Sequence, residues 1–108
     1  MVRLTVILKG SSRTAQPLVE AFRFLILSTR PDPQCLGCST WAEPDLSVHY
    51  IEEWKTDADM RRRVRSEAFT SVLSLVETVS ERPHVQFDFV ASTRGLDYVE
   101  EVREPHLG

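Results

Sequence analysis

Over residues 2 to 8 the chain alternates, with Val2, Leu4, Val6 and Leu8 on one side and Arg3, Thr5 and Ile7 on the other. A period of two predicts a strand. Gly10-Ser11-Ser12 interrupts it, and Ser12 or Thr14 can cap a helix beginning there. Ala15, Leu18, Val19, Phe22, Leu25, Ile26 and Thr29 then recur at helical spacing, giving a helix to about Ser28. Pro31-Asp32-Pro33 ends it, because a proline disfavours helix at the residue before it. Residues 35 to 42 and 47 to 54 read as strands joined by a short hairpin loop, Glu43-Pro44-Asp45-Leu46. A second helical region starts at Thr56 or Asp57 and runs to about Ser80, where Arg82-Pro83 stops it. Residues 84 to 91 alternate again, with Val85, Phe87, Phe89 and Ala91 on the packed side. In the tail, Leu96 and Val99 suit a helical turn while Tyr98 and Glu100 suit an extended segment.

The second helical region carries an internal conflict. Drawn as one straight helix, Met60, Val64, Ala68, Val72, Leu75 and Val79 share a stripe that also contains Arg61 and Arg65. Burying two unpaired guanidinium groups would cost several kcal/mol. A break near Ser66-Glu67 removes the conflict. The first piece then packs Met60 and Val64, and the second packs Phe69, Val72, Leu73 and Val76 in a new phase. The arginines are left on the flanks, exposed or facing a cleft.

The element order is β-α-β-β-α-β plus a tail, which predicts an α+β, ferredoxin-like split βαβ domain over residues 1–92. Residues 93–108 form a C-terminal arm. Both helices should cover one face of an antiparallel sheet. The other face, carrying Ile7, Ile51 and Val90 or one of the tryptophans, is too apolar to be left wholly in water, and such a face marks an interface. A homodimer packed sheet to sheet, with the arm clasping the partner, satisfies it.

Composition narrows the function classes. At 108 residues the chain is one domain, and 42% hydrophobic with 27% charged residues is ordinary for a packed core. A net charge of −3 argues against a dedicated nucleic-acid binder, which needs excess cations to displace phosphate counterions. No apolar run approaches the roughly 20 residues of a membrane span, and MVRLTVILKG lacks the features of a signal peptide. These features point to a cytoplasmic protein with reduced cysteines.

Residues 52 to 69, EEWKTDADMRRRVRSEAF, carry a resemblance. A strand ending in Glu-x-Trp or Glu-Trp, then about nine residues to a helix ending in Ser-x-x-Phe, resembles the antibiotic biosynthesis monooxygenase family. The resemblance covers residues 2 to 92 and rests on Tyr50, Glu53-Trp54, Ala58, Met60, Val64, Ser66 and Phe69, an apolar helix and an aromatic last strand. It implies a homodimeric α/β barrel, dioxygen as co-substrate, no cofactor and no metal. The implied substrate is an aromatic, polyketide-type or quinol molecule. Family members commonly carry a histidine nine residues after the tryptophan and often a second just before the phenylalanine; here these positions hold Arg63 and Ala68. Arginine keeps its proton at physiological pH and cannot be a general base. It can hold a phenolate or another anion, so the expected site has Arg63, Tyr50 and Trp54 in the catalytic roles. The family's haem-degrading branch needs a histidine on this helix, and residues 57 to 80 contain none.

Other candidates have plainer readings beside them. Trp41, Tyr50, Trp54, Phe69, Phe87 and Phe89 either line an aromatic-accepting pocket between sheet and helices or are simply core. Tyr50 and Trp54 share a face and have polar handles that need partners if buried. His49 lies on the opposite face of the same strand, as a possible base or substrate contact or as an interface residue. His84 and His106 read as solvated. Cys35 and Cys38, three apart on a strand, should point to opposite faces, which suits neither a disulfide nor a metal. The arginine cluster is either a surface paired with Asp57, Asp59 and Glu67, the edge of an anion pocket, or a nucleic-acid patch. Two functions therefore compete, a cofactor-independent monooxygenase and a non-catalytic dimeric module that binds a small ligand or serves as an interaction subunit, with a nucleic-acid-binding ferredoxin-like domain as a third, weaker reading.

Overall fold

Four antiparallel strands form one sheet in the order β2-β3-β1-β4, where β1 is Val2–Lys9, β2 Cys35–Ala42, β3 Ser47–Trp54 and β4 His84–Phe89. The computed structural model describes residues 1–79 and 81–104. Helices α1 (Ala15–Thr29), α2 (Asp57–Arg65) and α3 (Phe69–Glu77) follow the strands in the split βαβ order, and α4 (Leu96–Arg103) ends the described chain. His106 and Ser80 fall outside the described residues.

The alternation of β1 survives intact. Val2, Leu4, Val6 and Leu8 are buried beneath the helices, as are Val48, Tyr50, Glu52 and Trp54 of the neighbouring β3. From α1, Ala15, Leu18, Val19, Phe22 and Ile26 close over them. The opposite sheet face carries Arg3, Thr5 and Ile7 beside His49, Ile51 and Glu53, and among the described residues no helix covers it. Ile7 and Ile51 are there as expected; Val90 lies beyond the end of β4, where its N–H donates to the Met1 carbonyl at 2.8 Å.

The second helical region breaks where the arginine conflict demands. Ser66 is extended (φ −72°, ψ 151°) and ends α2, and α3 restarts at Phe69. The phase within each piece differs from expectation. Met60, Phe69 and Val72 are buried, but Val64 is 40% and Leu73 48% exposed, and Arg63 is buried instead. Arg61 and Arg62 do lie outside, paired with Asp57 at 3.1 Å and with Asp32 at 3.4 Å.

Strand β4 is a second correction. Val85, Phe87 and Phe89 stand opposite Val6, Leu4 and Val2 on the helix side, yet are 47%, 38% and 67% exposed. The helices stop short of this edge strand, so its aromatic side is bare. A third concerns Cys35 and Cys38. A bulge between Cys35 and Gly37 adds one residue, so Cys35 faces Trp54 and Cys38 faces Glu52, and both sulfurs share the helix side. Both are free thiols; burial, aided by Cys38, pushes the Cys35 thiol up to about 11.

Candidate functional site

Alternation along β3 sends Tyr50, Glu52 and Trp54 inward together, so a carboxylate sits fully buried between two aromatic residues. An isolated buried carboxylate would be prohibitive. The compensation comes from the helix immediately after the strand. Thr56 caps α2 by accepting from the Asp59 N–H at 3.1 Å, and the helix turns back over β3. Arg63 then lies above Glu52. Its Nε donates to Glu52 Oε1 at 3.0 Å and its Nη2 to Oε2 at 2.9 Å, the two-pronged geometry that suits guanidinium to carboxylate.

The remaining acceptor positions of Glu52 are taken as well. Trp54 Nε1 donates to Oε1 at 2.9 Å, and the Tyr50 hydroxyl donates to Oε2 at 2.5 Å. Arg63 Nη2 also donates to Thr29 Oγ1 at 3.2 Å, and the Thr29 hydroxyl in turn donates to the Leu25 carbonyl at 2.8 Å. The Phe69 ring lies 5.4 Å from the guanidinium, and Phe22 stacks on Tyr50 with ring centres 4.5 Å apart. One sheet strand and three helices thus meet at a single ion pair.

This packing sets the electrostatics. Burial, reinforced by the charge of Glu52 and the hydrogen bond to it, drives the Tyr50 hydroxyl far above its ordinary value, so it acts as a donor. For Arg63, burial disfavours the charged form, but the hydrogen bonds and charge of Glu52 outweigh it and raise its pKa. Arg63 therefore keeps its proton and holds Glu52 through two parallel hydrogen bonds.

Beside it lies a small groove of roughly 220 Å³, lined by Ser28, Thr29, Asp32, Trp54, Arg62 and Arg63 among others. The Arg62 guanidinium stands 6.0 Å from the Trp54 ring centre at its rim. Among the described residues Arg63 Nη1 has no hydrogen-bond partner and no buried side-chain polar atom is unsatisfied, so Nη1 is the edge that opens to the groove. Larger hollows of about 670 Å³ between α1 and β2 and about 600 Å³ between α1 and α3 do not touch the ion pair.

Of the residues that the sequence pattern marks as candidates, the fold brings Tyr50, Trp54, Arg63 and Phe69 together. It separates the others. Trp41 and His49 stack on the opposite sheet face, with ring centres 5.1 Å apart and His49 also bonded to Ser47 Oγ at 3.2 Å. Phe87 lies on the exposed side of β4. Glu52, the centre of the cluster, is not among those candidates. The signal for it exists, since it shares parity with Tyr50 and Trp54 and a buried carboxylate requires a cation. Among the described residues there is no cluster of three metal-ligating groups, and no helix is long and apolar enough to cross a membrane.

The sheet order, the split βαβ connection and a polar cluster between sheet and helices define a ferredoxin-like α+β domain. No family profile matches the chain and no curated protein resembles it in sequence. Solved structures do resemble it. One named antibiotic biosynthesis monooxygenase superposes with a TM-score of 0.68 at 19% identity, over 85% of this chain and 100% of its own. A Deinococcus radiodurans protein provisionally given that name reaches 0.75 at 14% identity, over 88% of this chain and 97% of its own. A Mycobacterium tuberculosis protein reaches 0.72 at 11% identity, covering 87% and 98%. At such identities the likeness is one of fold: the chain has the fold of the antibiotic biosynthesis monooxygenases.

Proposed function

We propose that the protein is a cofactor-independent monooxygenase that takes a small phenol, quinol or related polyketide-type ring in the groove beside Trp54. The observation that carries this reading is the convergence of an indole wall and a free guanidinium edge on one hollow, in a fold shared with proteins named for such oxidations. The groove is smaller than the roughly 300–1,000 Å³ of common ligand sites, which favours a compact ring system. In this reading the ring rests against Trp54 and Arg62, and its oxygen accepts a hydrogen bond from Arg63 Nη1. Partial positive charge at that edge stabilises the phenolate, the electron-rich form that reacts with dioxygen. Asp32, the carboxylate among the groove residues, takes the proton. For an anthrone-like methylene the balance is R₂CH₂ + O₂ → R₂C=O + H₂O, the substrate supplying all four electrons. The working unit is a cytoplasmic homodimer packed through the open sheet face.

The test is oxygen uptake with dihydroxynaphthalene and anthrone substrates. Uptake above the buffer rate, reduced at least tenfold in the surface variants Asp32→Asn and Arg62→Ala, is expected. No uptake by the wild-type chain overturns the reading. One observation favours a second reading, a non-catalytic binding module: both oxygens of Glu52 are occupied by donors, so the buried cluster contains no free base. A co-purifying ligand in native mass spectrometry, without turnover, selects that alternative.

A further inference from the structure

Cys35 and Cys38 are the only cysteines of the chain, and both are free thiols. In a regular strand, residues three apart lie about 10 Å from each other and point to opposite faces. The bulge in β2 removes both obstacles. It takes up one extra residue, so Cys35 stands opposite Trp54 and Cys38 opposite Glu52, two inward positions of β3. The separation of the two cysteine Cα atoms contracts to the rise of two residues, about 6.6 Å. That is at the upper end of the roughly 4.4–6.8 Å that a disulfide spans. The Cys35 side chain already leans along the strand toward its partner, since its thiol donates to the carbonyl of Gly37, the residue before Cys38, at 3.6 Å. Burial, and next the charge of Cys38, push the Cys35 thiol up to about 11, so the two sulfurs are within electrostatic reach. Cys38 is buried in the core while Cys35 is half-buried, which leaves one thiol open to a small solute. As an edge strand, β2 has no neighbour on its outer side to resist the small backbone shift that closure needs.

We propose that Cys35 and Cys38 are a dithiol that hydrogen peroxide converts to an intrachain disulfide, a covalent modification site beside Trp54 and Glu52. The site is separate from the groove and does not depend on turnover there. Cys35, as its thiolate, attacks one peroxide oxygen. The S–O bond forms, the O–O bond breaks, and the second oxygen leaves as water, giving a sulfenic acid. The Cys38 sulfur then attacks the Cys35 sulfur; the S–S bond forms and the hydroxyl leaves as a second water. The sum is 2 RSH + H₂O₂ → RSSR + 2 H₂O, in which the two thiols lose two electrons and the peroxide gains them. Only the thiolate is nucleophilic, and Cys35 is held protonated at neutral pH, so the step is slow there and quickens as pH rises toward about 11. Once closed, the bridge fixes the bulge opposite Trp54 and Glu52 until a reductant reopens it.

The test treats the full-length wild-type chain with hydrogen peroxide, blocks the remaining thiols with iodoacetamide, and reads the intact mass. The folded chain is expected to lose two hydrogens and take up no label, and to accept both labels again after dithiothreitol. Peptide mapping should place the bridge between residues 35 and 38, and its formation should be at least tenfold faster two pH units above neutrality. The Cys38→Ala chain, which lacks the resolving thiol, is expected to stop at a sulfenic acid on Cys35 that dimedone traps. Both labels retained after peroxide, oxidation of Cys35 to the sulfinic acid with Cys38 still free, or bridges formed only between chains would each overturn the proposal. A bridge that forms in urea but not in the folded chain overturns it too, because the folded bulge would then fail to bring the thiols together.

Discussion

Glu52 and Arg63 hold each other in place, and neither is tolerable alone. Removing one partner of a buried pair leaves an uncompensated charge and costs about 3–5 kcal/mol, whereas replacing both by apolar side chains of similar size is often close to neutral. Glu52→Ala and Arg63→Ala should therefore each lower the urea midpoint sharply, and Glu52→Leu/Arg63→Met should lower it less than either. A double variant as unstable as the sum of the singles would show that the pair is not coupled. Tyr50 adds a pH dependence. Its folded pKa is raised by burial beside Glu52. Its contribution is therefore complete below the unfolded value of about 10 and is lost progressively as pH rises above it. Stability should fall from about pH 10 upward, with phenolate absorbance from Tyr50 appearing only as the chain unfolds. Tyr50→Phe should lose that component. At this scale the sequence revealed the shared side of Tyr50 and Trp54, but not the use of Arg63. An arginine amid Arg61, Arg62 and Arg65 looks like a solvated face until the carboxylate across from it is recognised.

The elements themselves obey local rules, and their exceptions have local causes. Proline at 31 and 33 ends α1, the side chain of Thr56 caps α2, and Ser66 separates α2 from α3. The break was legible because a straight helix would have buried Arg61 and Arg65. The bulge in β2 was not, because nothing in Cys35-Leu36-Gly37-Cys38 marks an added residue except a glycine. Gly10 is where one element constrains another. Its N–H donates to Leu46 O at 3.1 Å, and a Cβ there would stand 2.5 Å from that oxygen. Leu46 itself is held at φ 70°, so the hairpin loop has little freedom to retreat. Gly10→Ala should cost about 1–3 kcal/mol, the range expected for strain or a lost buried hydrogen bond. A thermal melt unchanged from wild type would refute that contact.

For the whole molecule, assembly is decided by the surfaces that a single copy leaves bare. The chain spans 61 Å in its longest direction, with α4 fully exposed and one sheet face uncovered. On that face Ile7 and Ile51 sit among Arg3, Glu53, His49 and Trp41, a mixed surface of the kind found where subunits meet. Sedimentation should show a dimer at micromolar concentration, and Ile51→Asp should shift it toward single subunits without unfolding it. A dimer insensitive to that change would move the interface elsewhere. The helix side of β4 shows the limit of reading a strand alone: Phe87 and Phe89 alternate as core residues do, but among the described residues no helix buries them.

Periodicity is encoded in neighbouring residues, so the sequence by itself determined the strands, the broken second helix, the ferredoxin-like order and the common side of Tyr50 and Trp54. The pairing of Glu52 with Arg63, the closing of that pair by Thr29, Tyr50 and Trp54, and the exposure of β4 were decided only in three dimensions. They depend on where α2 crosses β3 and how far the helices extend over the sheet. Those distances are set by packing the whole core, and no stretch of chain records them locally.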